Sequence, residues 1–280
     1  MKIIRVFPRR TSYTPEDDMV FVGDPQLERP DANEVHVSCT FTWDKQGAER
    51  LKLAWEQYYP LVKVGGPAYE DPGNNFTPGM YVKRGVIVTS RGCNHQCPWC
   101  LAWRREGLIT LLPIQEGWIL QDNNILQCPL SHIDAVFDML GHQHHVELTG
   151  GIEASQVTQY IADRIRGLRI RQIFLACDTD AAIKPLRKAM KLLQLPPHDR
   201  RARCYVLLKY DPEETMLQAL IRLLQVWETG CIPFAQLYQP PDHWIEYSKE
   251  WKRFARLWER PAASYGYVTR LLKQIEKSGV

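Results

Sequence analysis

No apolar run in this 280-residue chain approaches the roughly 18 consecutive residues that a membrane-spanning helix needs. No secretory leader is expected either, because Met1-Lys2-Ile3-Ile4-Arg5-Val6 is too short and too charged to serve as one. Neither charge sign dominates: 35 Lys and Arg against 32 Asp and Glu leave a net charge of +3. Net charge therefore gives no overall argument for a polyanionic partner. Outside one short loop the cysteines stand singly, at Cys39, Cys128, Cys177, Cys204 and Cys231. That scatter is not the framework of a disulfide-stapled secreted domain, and these residues read as small buried hydrophobes. Together the absences lead us to expect a cytoplasmic protein with no membrane partner. The apolar share of 45% and the length suit one large α/β domain, or one with a small appendage.

Against this background one stretch stands out. Thr89-Ser90-Arg91-Gly92-Cys93-Asn94-His95-Gln96-Cys97-Pro98-Trp99-Cys100 follows the apolar run Gly85-Val86-Ile87-Val88. Cys93, Cys97 and Cys100 have C-x3-C-x2-C spacing, so a strand feeds a tight, thiol-rich loop. Three thiolates are one short of the full cysteine set of a [4Fe-4S] cluster, which leaves one iron open for a small molecule. A zinc site would want a fourth Cys or His, usually in a second close pair. His95 lies inside the loop, where it is an awkward fourth ligand. A redox C-x-x-C would use only Cys97 and Cys100 and leave Cys93 unexplained.

The rest of the chain supplies a frame for the loop. Residues 1–34 are punctuated by Pro8, Pro15, Pro25 and Pro30 and read as irregular, with one short apolar run at Met19–Val22. Val35–Trp43 reads as a strand, Asp44–Tyr59 as a helix and Leu61–Val64 as a second strand parallel to the first. Residues 65–80, rich in Gly, Pro and Asn, make a boundary or a flap. From about Met80 onward, strand and helix patterns alternate, with strands near Val88, Leu120, Leu148, Ala176, Leu207 and Leu237. Ser131 and Ser155 are expected to open helices. Leu217, Leu220, Ile221, Leu224 and Trp227 are expected to form the inner face of another. The predicted units are residues 1–79, 80–240 and an aromatic-rich helical extension at 241–280. Right-handed strand–helix repeats of this kind wind into either a barrel or a doubly wound sheet, and the pattern does not separate the two.

Arg-Gly-Cys-Asn-His-Gln-Cys-Pro-Trp-Cys resembles the C-x3-C-x-aromatic-C signature of the radical S-adenosylmethionine (SAM) superfamily, and the weaker resemblance extends over about residues 81–240. It implies a partial (β/α)6 TIM-like barrel and a [4Fe-4S] cluster on Cys93, Cys97 and Cys100. It also implies SAM on the open iron, with Trp99 against the adenine. An external electron donor of flavodoxin or ferredoxin type would be needed. The N-terminal unit is similar to a reduced form of the cobalamin-binding-like domain that precedes many such barrels. It lacks the Asp-x-His-x-x-Gly motif, so no cobalamin is expected.

In parallel α/β folds, chemistry gathers where strands end. Asp122, Asn123 and Asn124 follow the second barrel strand; Gly150, Gly151 and Glu153 follow the third; Asp178 follows the fourth. Gln121–Asn124 stands where the family often has Gly-Gly-Glu, whereas the Gly-Gly-x-Glu of this chain comes one strand later. Glu153 resembles a third-strand Glu that touches SAM in some members, and Asp178 is a candidate ribose partner. The substrate is not legible. Between Arg164 and Lys209 the sequence carries 12 Lys and Arg against 3 Asp and Glu. This stretch is either a set of solvated helix faces or a surface for a polyanion. Two alternatives therefore stand beside the radical SAM enzyme acting on an unidentified substrate. One is a non-catalytic Fe-S or zinc module that binds nucleic acid. The other is a radical SAM enzyme that modifies a nucleotide or nucleic acid.

Overall fold

The computed structural model describes residues 1–70 and 76–278. The N-terminal unit contains β1 (Ile3–Phe7), β2 (Val20–Val22), β3 (Glu34–Ser38), helix α1 (Lys45–Glu56) and β4 (Val62–Gly65). Its four strands are parallel, in the order β2-β1-β3-β4. Ala48, Leu51 and Trp55 recur at helical spacing, and all three are buried against Ile4, Val6, Val35 and Val37 of the sheet.

The central strand β1 lies in the stretch expected to be irregular. Arg5 masks it in the sequence, because a charged residue in so short a run argues against a buried strand. In the fold Arg5 is buried; its guanidinium pairs with Asp17 and donates to the carbonyls of Gly79 and Met80 at 3.2 and 3.1 Å. β3 also stops at Ser38, five residues before the expected end, and Thr42–Asp44 forms a 3-10 turn. Part of the expected boundary or flap, residues 71–75, lies outside the described residues.

The second unit begins with β5 (Val86–Ile87) and β6 (Ser90–Arg91), then α2 (Ala102–Glu106), β7 (Thr110–Leu111) and β8 (Ile119–Leu120). It continues through α3 (Leu130–Gly141), β9 (Val146–Ile152), α4 (Gln159–Arg166), β10 (Ile170–Ala176) and α5 (Ile183–Leu193). β11 (Ala202–Leu208), α6 (Met216–Glu228), β12 (Ile232–Leu237), α7 (Lys249–Glu259) and α8 (Pro261–Ser278) complete it. The six expected strands are present and form one parallel sheet in chain order, β5-β8-β9-β10-β11-β12. A doubly wound sheet reverses its strand order at a switch point; this sheet does not reverse. β5 and β12 stand at its two edges. Strands β6 and β7 form a separate antiparallel pair.

Helices cover one face of the sheet, where Phe137, Leu140, Leu148, Leu175, Leu186 and Trp258 are buried. Side chains alternate along a strand, so β10, β11 and β12 turn Phe174, Tyr205 and Phe234 to the opposite face. There the Phe174 and Tyr205 rings stack at 4.4 Å, and Phe234 meets them edge-on at 6.0 and 5.6 Å.

Three local expectations are corrected. α3 begins at Leu130 after Pro129, without a cap from Ser131. Thr158, not Ser155, caps α4 by accepting from Ile161 N at 3.2 Å. In α6 the fully buried residues are Ala219, Leu223 and Val226, while Leu217 is 66% and Ile221 47% exposed. Apolar residues lie on several faces of this helix, so periodicity does not select its inner face. Its polar residues settle the orientation: Arg222 turns inward to the Leu207 carbonyl, at 3.0 Å. Among the described residues no helix is long and apolar enough to cross a membrane.

Candidate functional site

The cysteine loop is a closed handle on the β6–β7 pair. Gly92 has φ +80°, and a Cβ there would lie 2.3 Å from Leu108 O and 2.7 Å from Gly107 O, so only glycine fits this crossing. Cys93 N donates to Gly107 O at 3.0 Å, and Ile109 N donates to Asn94 Oδ1 at 3.1 Å, closing the neck. Within the handle Cys100 N bonds to Cys97 O at 3.1 Å, and Trp103 Nε1 donates to the same carbonyl at 2.9 Å. The three thiols are half-buried neighbours. Burial pushes the Cys97 thiol up, and the charges of Cys100, Cys93 and Asp178 push the same way. Burial also raises Cys100, with Cys93 and Asp178 adding to it. Among the described residues no three His, Cys, Asp or Glu side chains converge as ligands of one metal ion.

Asp122 supports the base of the handle. Its carboxylate is buried and accepts from Thr89 N, Thr89 Oγ1 and Ser90 Oγ, each at 2.6 Å. Burial raises its pKa above the ordinary carboxylate value, against the lowering effect of those hydrogen bonds. Asn123 turns toward α2, donating from Nδ2 to Glu106 Oε2. Glu106, which sequence reasoning missed, also accepts from Gly92 N at 3.2 Å and from Arg105. Asp122 and Asn123 thus hold the loop from behind.

Asn124 faces the thiols. Its Nδ2 donates to Glu153 Oε2 at 2.7 Å and lies 3.8 Å from Cys93 Sγ. Its Oδ1 is buried without a hydrogen-bond partner among the described residues. Gln127, a second residue missed in the sequence, accepts at Oε1 from Asn94 N at 2.7 Å and from the Cys93 thiol at 3.6 Å. Glu153 also takes an ion pair from His95 Nε2 at 2.9 Å and a hydrogen bond from Ser155. Burial works to raise the Glu153 pKa, but Ser155, Asn124 and His95 outweigh it and leave the carboxyl below its ordinary value. His95 is thus a partner of Glu153. The glycines before Glu153 act differently. A Cβ on Gly150 would sit 2.2 Å from Asp122 O, so this glycine lets the end of β9 pack on the chain after β8. Gly151 has φ +104° and faces open space.

Trp99 and Asp178 form the other flank. Trp99 lies beside Asp178, whose carboxyl is raised above the ordinary carboxylate value mainly by burial. Trp99 meets the Tyr210 ring edge-on at 5.3 Å, and Tyr210 meets Tyr238 at 5.1 Å. Trp99, Asp178 and Tyr210 border a cavity of about 480 Å³ also lined by Asp180, Ile221 and Arg222. Arg222 reaches Asp180 at 3.1 Å and Glu214 at 2.8 Å, balancing the acidic lining. A smaller cavity, of about 220 Å³, lies at the opposite strand ends beside Leu168, Leu193 and Arg201, away from every candidate residue.

A final contributor comes from the N-terminal arm. The Tyr13 hydroxyl lies 3.1 Å from Thr149 Oγ1 and accepts from Gln121 Nε2 at 3.0 Å, while Tyr205 OH donates to Thr149 O at 3.2 Å. Gln121 and Thr149 immediately precede the Asp122 and Gly150 segments. Nothing local marks Tyr13, because its partners are far away in the chain. Comparison of the chain with protein-family models and with curated proteins finds no match to either.

Proposed function

We propose that this chain is a radical SAM enzyme whose six parallel strands form the wall of a partial barrel, with the cysteine loop and strand ends at its mouth. Chain-order strand pairing without a switch point supports the barrel reading. One observation carries the cofactor reading. Three neighbouring thiols share a single closed loop, and Asn124, whose Nδ2 lies 3.8 Å from Cys93 Sγ, carries a buried Oδ1 with no hydrogen-bond partner among the described residues. A buried acceptor without a donor is costly, and the ammonium of a SAM methionine moiety would satisfy it. Cys93, Cys97 and Cys100 would hold a [4Fe-4S] cluster, each thiolate on a separate iron. That sharing does not require three ligands to converge on one ion.

With cluster and SAM bound, the chemistry supplied is one-electron reductive cleavage of the SAM C5′–S bond, giving methionine and a 5′-deoxyadenosyl radical that takes a hydrogen atom from substrate. The chain's own residues position and exclude. Asp122, Asn123 and Glu106 fix the handle, while Asn124, Gln127 and Glu153 surround Cys93. Gly151 leaves room for close approach of a ligand. Trp99 and Asp178 border a cavity of adequate size for an adenosine, the ring offering a stacking face and the carboxyl a partner for ribose hydroxyls. The electron would come from an external flavodoxin- or ferredoxin-type donor.

The test is anaerobic reconstitution with iron and sulfide, followed by SAM and dithionite. A brown protein that forms 5′-deoxyadenosine only with reductant is the expected result. A colourless protein that takes up zinc and leaves SAM intact would overturn the reading.

A further inference from the structure

The outer face of α5 is a strongly charged surface that this function does not use. Ile183, Leu186, Met190 and Leu193 are buried. The i, i+3, i+4, i+7 positions on the opposite side are Lys184, Arg187, Lys188 and Lys191, all exposed. Arg200 continues the charge beyond the helix end. None of these five cations makes an ion pair or side-chain hydrogen bond among the described residues. The nearby acids are already taken: Asp163 by Arg166, Asp199 by Arg201 and Glu147 by Arg171. Such a ridge repels itself, so the face is held ready for external negative charge.

We infer that this ridge docks the phosphodiester backbone of a nucleic acid strand. From Lys184 to Lys191 the helix rises about 10 Å at 1.5 Å per residue, which spans about three phosphate-to-phosphate steps, or about four phosphates, of one strand at about 3.4 Å each. The other polyanions fit less well. A lipid surface is gripped by an apolar helix face beside the charge, and every apolar core-facing residue of α5 is turned inward. An acidic protein partner needs an apolar centre to its interface, and this ridge presents only charge. Lys184 lies in the first turn of α5, a few residues past Asp178 and Asp180, so a strand laid along the ridge is led toward the rim that carries the cavity. The inference does not depend on the cluster, and its test needs none.

Fluorescence anisotropy with a labelled mixed-sequence RNA or DNA oligonucleotide tests it on the full chain. If four cations each neutralise one phosphate of a single strand, affinity should fall about 50-fold between roughly 50 and 200 mM salt. For K188Q/K191Q the same salt step should cost only about 7-fold, because two contacts are gone. Lys52→Gln, which removes a cation paired to Glu56 on α1, should change neither figure. Circular dichroism should match the parent, since the replaced side chains are exposed. No binding at low salt, or binding unaltered in K188Q/K191Q, would overturn the inference. So would anionic phosphatidylserine vesicles that bind as tightly as the oligonucleotides and lose affinity in the same variant.

Discussion

The buried carboxylate of Asp122 offers the sharpest test of how the cysteine loop is held. Three donors converge on it at 2.6 Å, and Thr89 and Ser90 are fully buried. In Asp122→Ala all three lose their acceptor. A buried unsatisfied group costs about 1–3 kcal/mol. The two hydroxyls can rotate toward other partners, such as His132 Nε2, 3.4 Å from Thr89 Oγ1, but the Thr89 amide cannot. The expected loss is therefore about 3–5 kcal/mol rather than the sum of three full penalties. Asp122→Asn keeps one oxygen for the Thr89 amide but turns an amide NH2 on the two hydroxyls, so about 1–2 kcal/mol should suffice. Urea unfolding of the reduced, metal-free protein followed by circular dichroism measures both.

The pH dependence has a definite sign. The folded pKa of Asp122 lies above its unfolded value, so the unfolded chain ionises first as pH rises. The group's contribution is full below the unfolded pKa and declines through the window up to the folded pKa. The cost of Asp122→Asn should thus be largest in acid and shrink to a plateau. An Asn variant as damaged as the Ala variant, or a cost that grows with pH, would refute the reasoning.

Gly150→Ala should destabilise by about 3 kcal/mol or more in the same unfolding assay, because its Cβ meets backbone at 2.2 Å. Gly151→Ala should cost only about 1–2 kcal/mol of backbone strain, since its Cβ enters open space. Cys97→Ala should abolish both the brown colour and 5′-deoxyadenosine formation after reconstitution, with the thermal midpoint of the metal-free protein nearly unchanged. Trp99→Phe should keep the iron content, as judged by iron analysis, and weaken SAM binding about tenfold by calorimetry, as expected for about 1.4 kcal/mol of stacking lost with the smaller ring.

The loop and the strand–helix repeat were legible because both are written locally, as residue spacing and as short β-branched runs bounded by turn residues. Central strand β1 was not, because Arg5 is tolerated there only through Asp17 and two carbonyls that the local pattern does not reveal. The orientation of α6 was hidden for the opposite reason: apolar residues lie on several of its faces, and one inward arginine decides. Around the site, Asn124 and Glu153 were found from strand-end position. Gln127, Glu106 and Tyr13 were missed because each acts through a contact that no periodicity encodes. Asp122 was found, but its task as a brace for the loop depends on the packing of β8 beside β5.

The seat of Tyr13 also orders events in time. The arm is made first, yet Thr149 follows it by 136 residues and Gln121 by 108. Tyr205, the third member of the seat, is made later still. During synthesis the arm must therefore wait, unseated, until β9 has joined the sheet. Insertion of Tyr13 is then a step that registers the pairing of β8 with β9 and ties the N-terminal arm to the middle of the sheet.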